Sequence, residues 1–552
     1  MAGLWWRRAP AAYVASAPCG TGLVRLVVVK NNNQYNLASE GTPDTAAPPG
    51  VPEAPMSVTA AAPAQLDHSE IRSILFGVML AMLLAALDQT IVATALPTIG
   101  ADLGDFESLS WVVTAYLLTS TAVTPLYGRL SDVHGRRMMM LIAISIFSVG
   151  SLACALAPNM VVLIFARGLQ GLGGGGLISL AQTIIADIVS PRERGRYQGY
   201  FASVFMASSL CGPVLGGVLA QHLHWSLIFW INLPLGLAAY FMTDRQLRRL
   251  PRHERKAKVD VIGAVLMVVS TISLLLLLTW GGVRYAWDAP EILALGGAAV
   301  IFAVLFVWRL RTADEPFLPL PVLLHPVVAR GTATALMTMG TLIALSINVP
   351  LYFETARGLS ASQSGLALIP LMGGVVLGAL LAGRALFMLE HYKRVAISGI
   401  AVAILGLLFL SLGPERPPLP LMLLVFGLMG IGIGCVLPIT TVSIQNAVEP
   451  HQMGTATGTM NFFRSLGSAV LVAGFGAVLM AALGLGPGQG NLEQLIGGAD
   501  QAGLASAFRI VFGCASVTLM LGLLALMSME QKPLRTSVRK TSEEGGVVGV
   551  GE

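Results

Sequence analysis

Charge is what this sequence has least of. Only 11% of its 552 residues are Asp, Glu, Lys or Arg, against about 25% in soluble domains. Hydrophobic residues make up 55%, and the mean hydropathy is +0.74. A water-soluble fold of this size cannot hide so much apolar surface, so most of the chain has lipid as its solvent. Cysteines number five. Cys154, Cys211, Cys435 and Cys514 fall inside apolar runs and Cys19 in a tail, without metal-ligand spacing, which gives neither a structural disulfide framework nor a metal site. The eight histidines are scattered. No Ser/His/Asp set and no phosphate-binding loop is present, so nothing supports an enzyme, a cofactor or an ATP-driven pump. The net charge of +5 comes from loop Lys and Arg rather than from a basic face, which gives no nucleic-acid partner. The chain also lacks any Asn-x-Ser/Thr sequon, which favours a bacterial source.

Long apolar runs, in contrast, are abundant. From Ile71 onward, runs of roughly 20 residues follow one another, the length that crosses about 30 Å of hydrocarbon. They lie near 72–97, 108–127, 138–157, 161–183, 197–220, 226–243, 259–280, 291–309, 331–353, 364–386, 394–412, 419–441, 455–481 and 508–528, and predict fourteen transmembrane helices. With the N-terminus inside, nineteen Lys and Arg fall in cytoplasmic loops. Only Arg284, Arg357, Arg416 and Arg509 fall outside, as the positive-inside rule requires. Both termini and the basic linker 246–258 are then cytoplasmic, as is the tail 529–552. Residues 1–70 differ in composition: Asn31, Asn32 and Asn33, then an Ala/Pro-rich run from Thr42 to Pro63, predict a disordered tail. Met56 is a second candidate start, which would leave 1–55 untranslated.

The tightest feature is the ten-residue stretch Gly128 to Arg137, GRLSDVHGRR, between two runs that each span a bilayer. Gly128 and Gly135 permit a tight turn, Arg129, Arg136 and Arg137 mark the cytoplasmic side, and Asp132 can pair with an arginine or cap a helix. The stretch resembles the loop between helices two and three of the major facilitator superfamily, matching its G-x-L-x-D-x-x-G-R-R pattern throughout. That resemblance implies an all-α polytopic fold of two six-helix halves, 72–245 and 331–528, related as parallel repeats. It also implies a cytoplasmic gate in which Asp132 pairs with Arg129 and Arg136. An internal repeat agrees: Gly168, Gly171, Gly173, Gly175, Val189, Pro191, Gly195 and Gly199 recur as Gly427, Gly430, Gly432, Gly434, Val448, Pro450, Gly454 and Gly458. The two sets lie eight helices apart, so two extra helices, 259–309, separate the halves. A weaker copy of the loop, Gly383-Arg384 and Lys393-Arg394, lacks the Asp.

Three further stretches carry candidate chemistry. The first helix holds LDQTIVATALP, Leu87 to Pro97, which resembles the signature of fourteen-helix drug–proton antiporters, with Ala93 where the commoner form has Asn. Its Asp88 lies roughly 24 Å along a helix from Arg72. It either faces a cavity as an expensive embedded acid or touches water and anchors the helix. In the fourth helix, Arg167 either snorkels outward or stays embedded, with Gln170 one turn later. The resemblance assigns Arg167 and Gln170 to an R-x-x-Q-G element of proton coupling, in which the arginine favours the ionised form of a nearby carboxylate; Asp88 is the first choice of partner. In the fifth helix, Gly212, Pro213, Gly216 and Gly217 resemble the antiporter motif, although the same residues serve as a packing device. The second half is poorer in charge. Arg464 with Asn461 lines the cavity or meets a lipid phosphate, and Glu354 is expected to form a surface ion pair with Arg357.

The resemblance thus implies an inner (plasma) membrane exporter that exchanges protons for hydrophobic, cationic or amphipathic small molecules, with Asp88 shared between proton and substrate. Export of one metabolite, or a transport-inactive receptor or scaffold, are the alternatives. A periplasmic adaptor protein is a candidate partner beside the bilayer itself.

Overall fold

The computed structural model describes residues 12–19, 22–31, 34–39, 68–106, 108–248, 260–282, 284–483 and 501–534. Two units divide the chain, Met1–Gln65 and Leu66–Glu552. In the first, β1 (Ala12–Cys19), β2 (Gly22–Asn31) and β3 (Gln34–Ser39) form an antiparallel sheet in the order β1-β2-β3. Ala12 pairs with Val29 and Leu26 with Ser39. This differs from the disorder expected for 1–70. The expectation rested on Asn31 to Asn33, of which Asn31 ends β2, and on the Ala/Pro-rich run, which lies outside the described residues; Val24, Val27, Val28 and Val29 in β2 have branched side chains that suit a strand. Met56 and most of the linker 246–258 also lie outside them.

The second unit contains fourteen helices long and apolar enough to cross a membrane among the described residues. They are α1 (Glu70–Leu103), α2 (Leu109–His134), α3 (Arg136–Ala155), α4 (Met160–Ile188), α5 (Pro191–His222), α6 (Leu227–Leu247), α7 (Val261–Trp280), α8 (Pro290–Thr312), α9 (Pro326–Thr355), α10 (Ser362–Met388), α11 (Lys393–Leu412), α12 (Leu419–Ala447), α13 (Pro450–Ala482) and α14 (Gly503–Ser528). Several outrun their apolar segments because polar first and last turns continue the helix beyond the hydrocarbon. Pro191, Pro290, Pro326 and Pro450 open helices, where the missing N–H costs nothing. Asn159 caps α4 by accepting from the Val162 N–H at 3.0 Å. In α6 and α12 the regular hydrogen-bond ladder breaks at Ile231 and Cys435, just before Pro234 and Pro438, which remove a donor from the next turn.

Each half has its own apolar core. Met82, Phe147, Leu180 and Ile184 are fully enclosed among α1–α6, and Tyr352, Phe426, Phe508 and Phe512 among α9–α14. The repeated glycines serve the same crossing twice. A Cβ on Gly171 or Gly175 would overlap the carbonyl oxygen of Tyr116 or Ser120 on α2. One on Gly430 or Gly434 would overlap that of Leu371 or Val375 on α10. Gly173 and Gly432 likewise lie against the Ala143 and Gly399 carbonyls of α3 and α11. Only a missing side chain lets these backbones come so close.

The halves meet along two seams, α2 against α13 and α5 against α10. Of the extra pair, α7 packs on α2 and α13 while α8 packs on α7. Asp260 ties that hairpin together: its Oδ1 accepts from the Gly263 N–H and from Arg309 Nε, both at 3.1 Å.

Candidate functional site

At the end of the bundle that carries the basic loop, the turn between α2 and α3 is a single residue. Gly135, with φ +89°, ends one helix and starts the next, a backbone geometry that a side chain would strain. The turn delivers Asp132 to the first turn of α13. Its Oδ1 accepts from the Gly454 N–H at 2.9 Å, and its Oδ2 from the Thr455 N–H at 2.7 Å and hydroxyl at 2.6 Å. Free N–H groups and the positive end of the helix dipole favour a carboxylate there. Arg136 Nη1 lies 2.6 Å from Asp132 Oδ1, while its Nε reaches Asp187 Oδ2 at 2.7 Å. Arg137 instead pairs with Asp244 on α6. Arg129, expected at the gate, makes no ion pair or hydrogen bond among the described residues. Spacing alone would allow the pair, since residues three apart share a helix face; Asp132 is instead filled by Arg136 and by the Gly454 and Thr455 donors.

The seams at this end are two matched glycine crossings. A Cβ on Gly128 would strike the Gly454 carbonyl, and one on Gly383 the Gly195 carbonyl. Gly383 is the counterpart of Gly128 in the second half, as Gly454 is of Gly195. Above the first crossing, Asn461 Nδ2 of the second half donates to Gln182 Oε1 of the first at 2.9 Å, and Gln445 Nε2, also held by Thr457 Oγ1 at 3.2 Å, reaches the Gln182 carbonyl at 3.5 Å. The basic end is therefore closed.

The second cluster lies wholly inside the first half. Arg167 Nη1 is 2.6 Å from Asp88 Oδ2 and 2.5 Å from Gln170 Oε1, and its Nε donates to the Val112 carbonyl at 3.0 Å. Gln170 Nε2 donates to Asp88 Oδ1 at 2.8 Å and to Ser151 Oγ at 2.7 Å. Asn232, set at the break in α6, donates to the same Oδ1 at 3.1 Å. The guanidinium lies over Tyr116, 4.5 Å from the ring centre. Relative exposure is 0% for Asp88 and 1% for Arg167, so the arginine does not snorkel and the acid does not touch water. Every oxygen of the carboxylate is used by protein donors in this conformation. Ser151, Asn232 and Tyr116 were not singled out from sequence; Asn232, a lone amide in FWINLPLG, was the one legible signal.

On α5, Gly212 and Gly216 lie against Thr90 and Ile91 of α1, where a Cβ would clash. Thr90 Oγ1 also donates to the Ser208 carbonyl at 2.8 Å, a turn before Pro213. Gly217 has open space around its Cβ direction and takes no part in this crossing. Glu354 is exposed and unpaired among the described residues; Arg357 instead donates to Tyr352 Oη at 2.9 Å and to the Pro414 and Pro417 carbonyls at 2.8 and 2.7 Å, fastening the α11–α12 loop. The loop's bare carbonyls out-compete a solvated carboxylate. Arg464 lies midway along α13, one turn beyond Asn461.

Comparison with known proteins fits this geometry. The profile described as Major Facilitator Superfamily matches residues 78–472. Multidrug resistance protein 3 of Bacillus subtilis is 34% identical over 411 residues, 74% of this chain and 80% of that protein. Multidrug resistance protein fnx1 of Schizosaccharomyces pombe is 32% identical over 397 residues, 70% of this chain and 75% of that one. Among solved structures, a bacterial homologue of the iron transporter ferroportin in its outward-facing state has a TM-score of 0.59 at 11% identity, covering 83% of this chain and 99% of that one. The human organic anion transporter MFSD10 gives 0.57 at 17% identity, covering 83% and 99%. A family match across most of the helices, the repeated glycine crossings and the Asp132 clasp agree: this chain belongs to the Major Facilitator Superfamily.

Proposed function

We propose that the protein is a secondary exporter that exchanges protons for hydrophobic, amphipathic small molecules by alternating access. The names of relatives at 32–34% identity, multidrug resistance proteins of a bacterium and a yeast, support the substrate class. The observation that carries the coupling is the enclosed Asp88–Arg167 pair. In a low-dielectric interior each charge is tolerable only while the other is present. Protonating Asp88 removes the attraction, leaves Arg167 without a counter-charge and favours a rearrangement that parts the cluster. Loss of the proton favours its return. A proton reaches the acid only once the cluster has opened, since Asp88 has no exposed surface here.

The closed basic end is the cytoplasmic one in this reading, because its loops hold most of the Lys and Arg. Asp132 and the two glycine crossings then hold the outward-facing arrangement. Accumulation of a fluorescent amphipathic dye in cells, with and without the protein and with and without a protonophore, tests the proposal. Lower accumulation in expressing cells, restored by the protonophore, is expected. Equal accumulation in all four conditions for a panel of such dyes would overturn it.

A further inference from the structure

Midway through the bundle, the charges among the described residues are Asp88, Arg167 and Arg464, and the first two neutralise one another. Arg464 has no such partner: its guanidinium makes no ion pair and no hydrogen bond among the described residues. It lies midway along α13 between Asn461, which reaches the first half, and Gly467, which packs on α9, and its side chain is half-buried. Set between contacts to both halves of the bundle, the open part of this side chain borders space among the helices rather than the lipid outside them. An embedded cation without a counter-charge is costly, and such residues face a cavity or a ligand.

Its neighbours place that space at the junction of the halves. Asn461, one turn earlier on α13, bridges to Gln182 of the first half at 2.9 Å, while its Oδ1 is buried without a donor and so has bonding capacity to spare. Beyond Arg464, Gly467 closes α13 onto Leu336 of α9. The ten residues from Gly454 to Arg464 span about 15 Å of helix. This puts the guanidinium well above the closed basic end and out of reach of lipid phosphates there. The Asp88–Arg167 pair contributes no net charge, so midway through the described bundle the positive charge is that of Arg464.

We infer that Arg464 is the anchor of a substrate subsite that takes the anionic group, a carboxylate, sulfonate or phosphate, of an amphipathic compound entering between the halves. The inference rests on the exporter reading and deepens it: the preferred substrates are amphipathic anions, not cations. A guanidinium suits the task because its planar fork donates two hydrogen bonds to such a group and never loses its proton. The apolar part of the compound would lie along the cavity wall.

Two dansyl probes with nearly equal apolar bodies test this: dansyl-6-aminohexanoate, an anion, and dansylcadaverine, a cation. Binding is read by fluorescence titration of the purified full chain in phosphatidylcholine nanodiscs. The wild type is expected to bind the anion more tightly. Arg464→Gln should weaken the anion roughly tenfold or more, as loss of a charged hydrogen-bonding group does, and leave the cation unchanged or improved. Arg464→Lys should regain part of the anion binding, and matched melting temperatures would exclude misfolding. A wild type that prefers the cation, or an Arg464→Gln variant that binds the anion normally or loses both probes alike, overturns the assignment while the exporter reading stands. Loss of wild-type anion binding on adding phosphatidylglycerol would assign the site to a lipid headgroup and overturn it too. Binding of neither probe, together with no dye export from cells, would sink the exporter reading itself.

Discussion

A carboxylate and a guanidinium 2.6 Å apart, with 0% and 1% of their side chains exposed, are each far less stable alone than together. Asp88→Asn should therefore cost about 3–5 kcal/mol by stranding Arg167, visible as a lower melting temperature in detergent. Adding Arg167→Gln should restore much of that loss. Proton-driven export should stay absent in both, which separates coupling from folding; export by the double variant would contradict the role given to the pair. Asn232→Ala should cost about 1.5–3 kcal/mol, the contribution of one donor to a charged acceptor, and slow export without abolishing it. At this scale the sequence showed the charges but not the contact. Asp88 and Arg167 stand out as ionised groups in apolar runs. That α1 and α4 bring them together depends on packing between distant segments, and Ser151 and Tyr116 look like any small polar or aromatic residue of a membrane helix.

The helix that matters most for closure is α13, whose first N–H groups are held by a side chain from the other half. Asp132→Asn keeps an acceptor but removes the charge at the helix terminus. A loss of about 1–2 kcal/mol from the closed arrangement is expected, which moves the closed-to-open ratio roughly tenfold. Distances between spin labels on the basic ends of α2 and α13 should lengthen accordingly, with little change in folded yield; unchanged distances would rule the clasp out. Gly383→Ala should act likewise at the other seam, because its methyl would meet the Gly195 carbonyl. Cysteine cross-linking across α5 and α10 checks it, with reduced yield expected. The loop from Gly128 to Arg137 was legible because its Gly and Asp spacing is fixed by the turn it makes. Its second copy was read only as a faint echo, since Phe387 stands where an Asp would match Asp132, although the glycine crossing survives. The charges of the motif do not rank the partners of Asp132, whose oxygens go to Arg136, Gly454 and Thr455 rather than to Arg129.

Fourteen spans, a repeat with a constant offset and a spare pair of helices could be read in the chain because membrane crossing demands a fixed apolar length and because the repeat glycines have no substitute at close crossings. What could not be read was which polar residues meet across the seam: Asn461 with the Gln182 side chain and Gln445 with the Gln182 carbonyl. Those contacts join the two halves over long sequence separations, and under the alternating-access proposal they belong to one state of at least two. Uphill exchange is the central claim at this scale. The most direct measurement follows a dye and the lumenal pH together in proteoliposomes of purified protein with an imposed acidic interior. The wild type is expected to concentrate the dye inside while the lumen alkalinises, both effects vanishing with a protonophore and in Asp88→Asn. Accumulation against the dye's own gradient that survives the protonophore, or persists in Asp88→Asn, would contradict proton exchange through this acid.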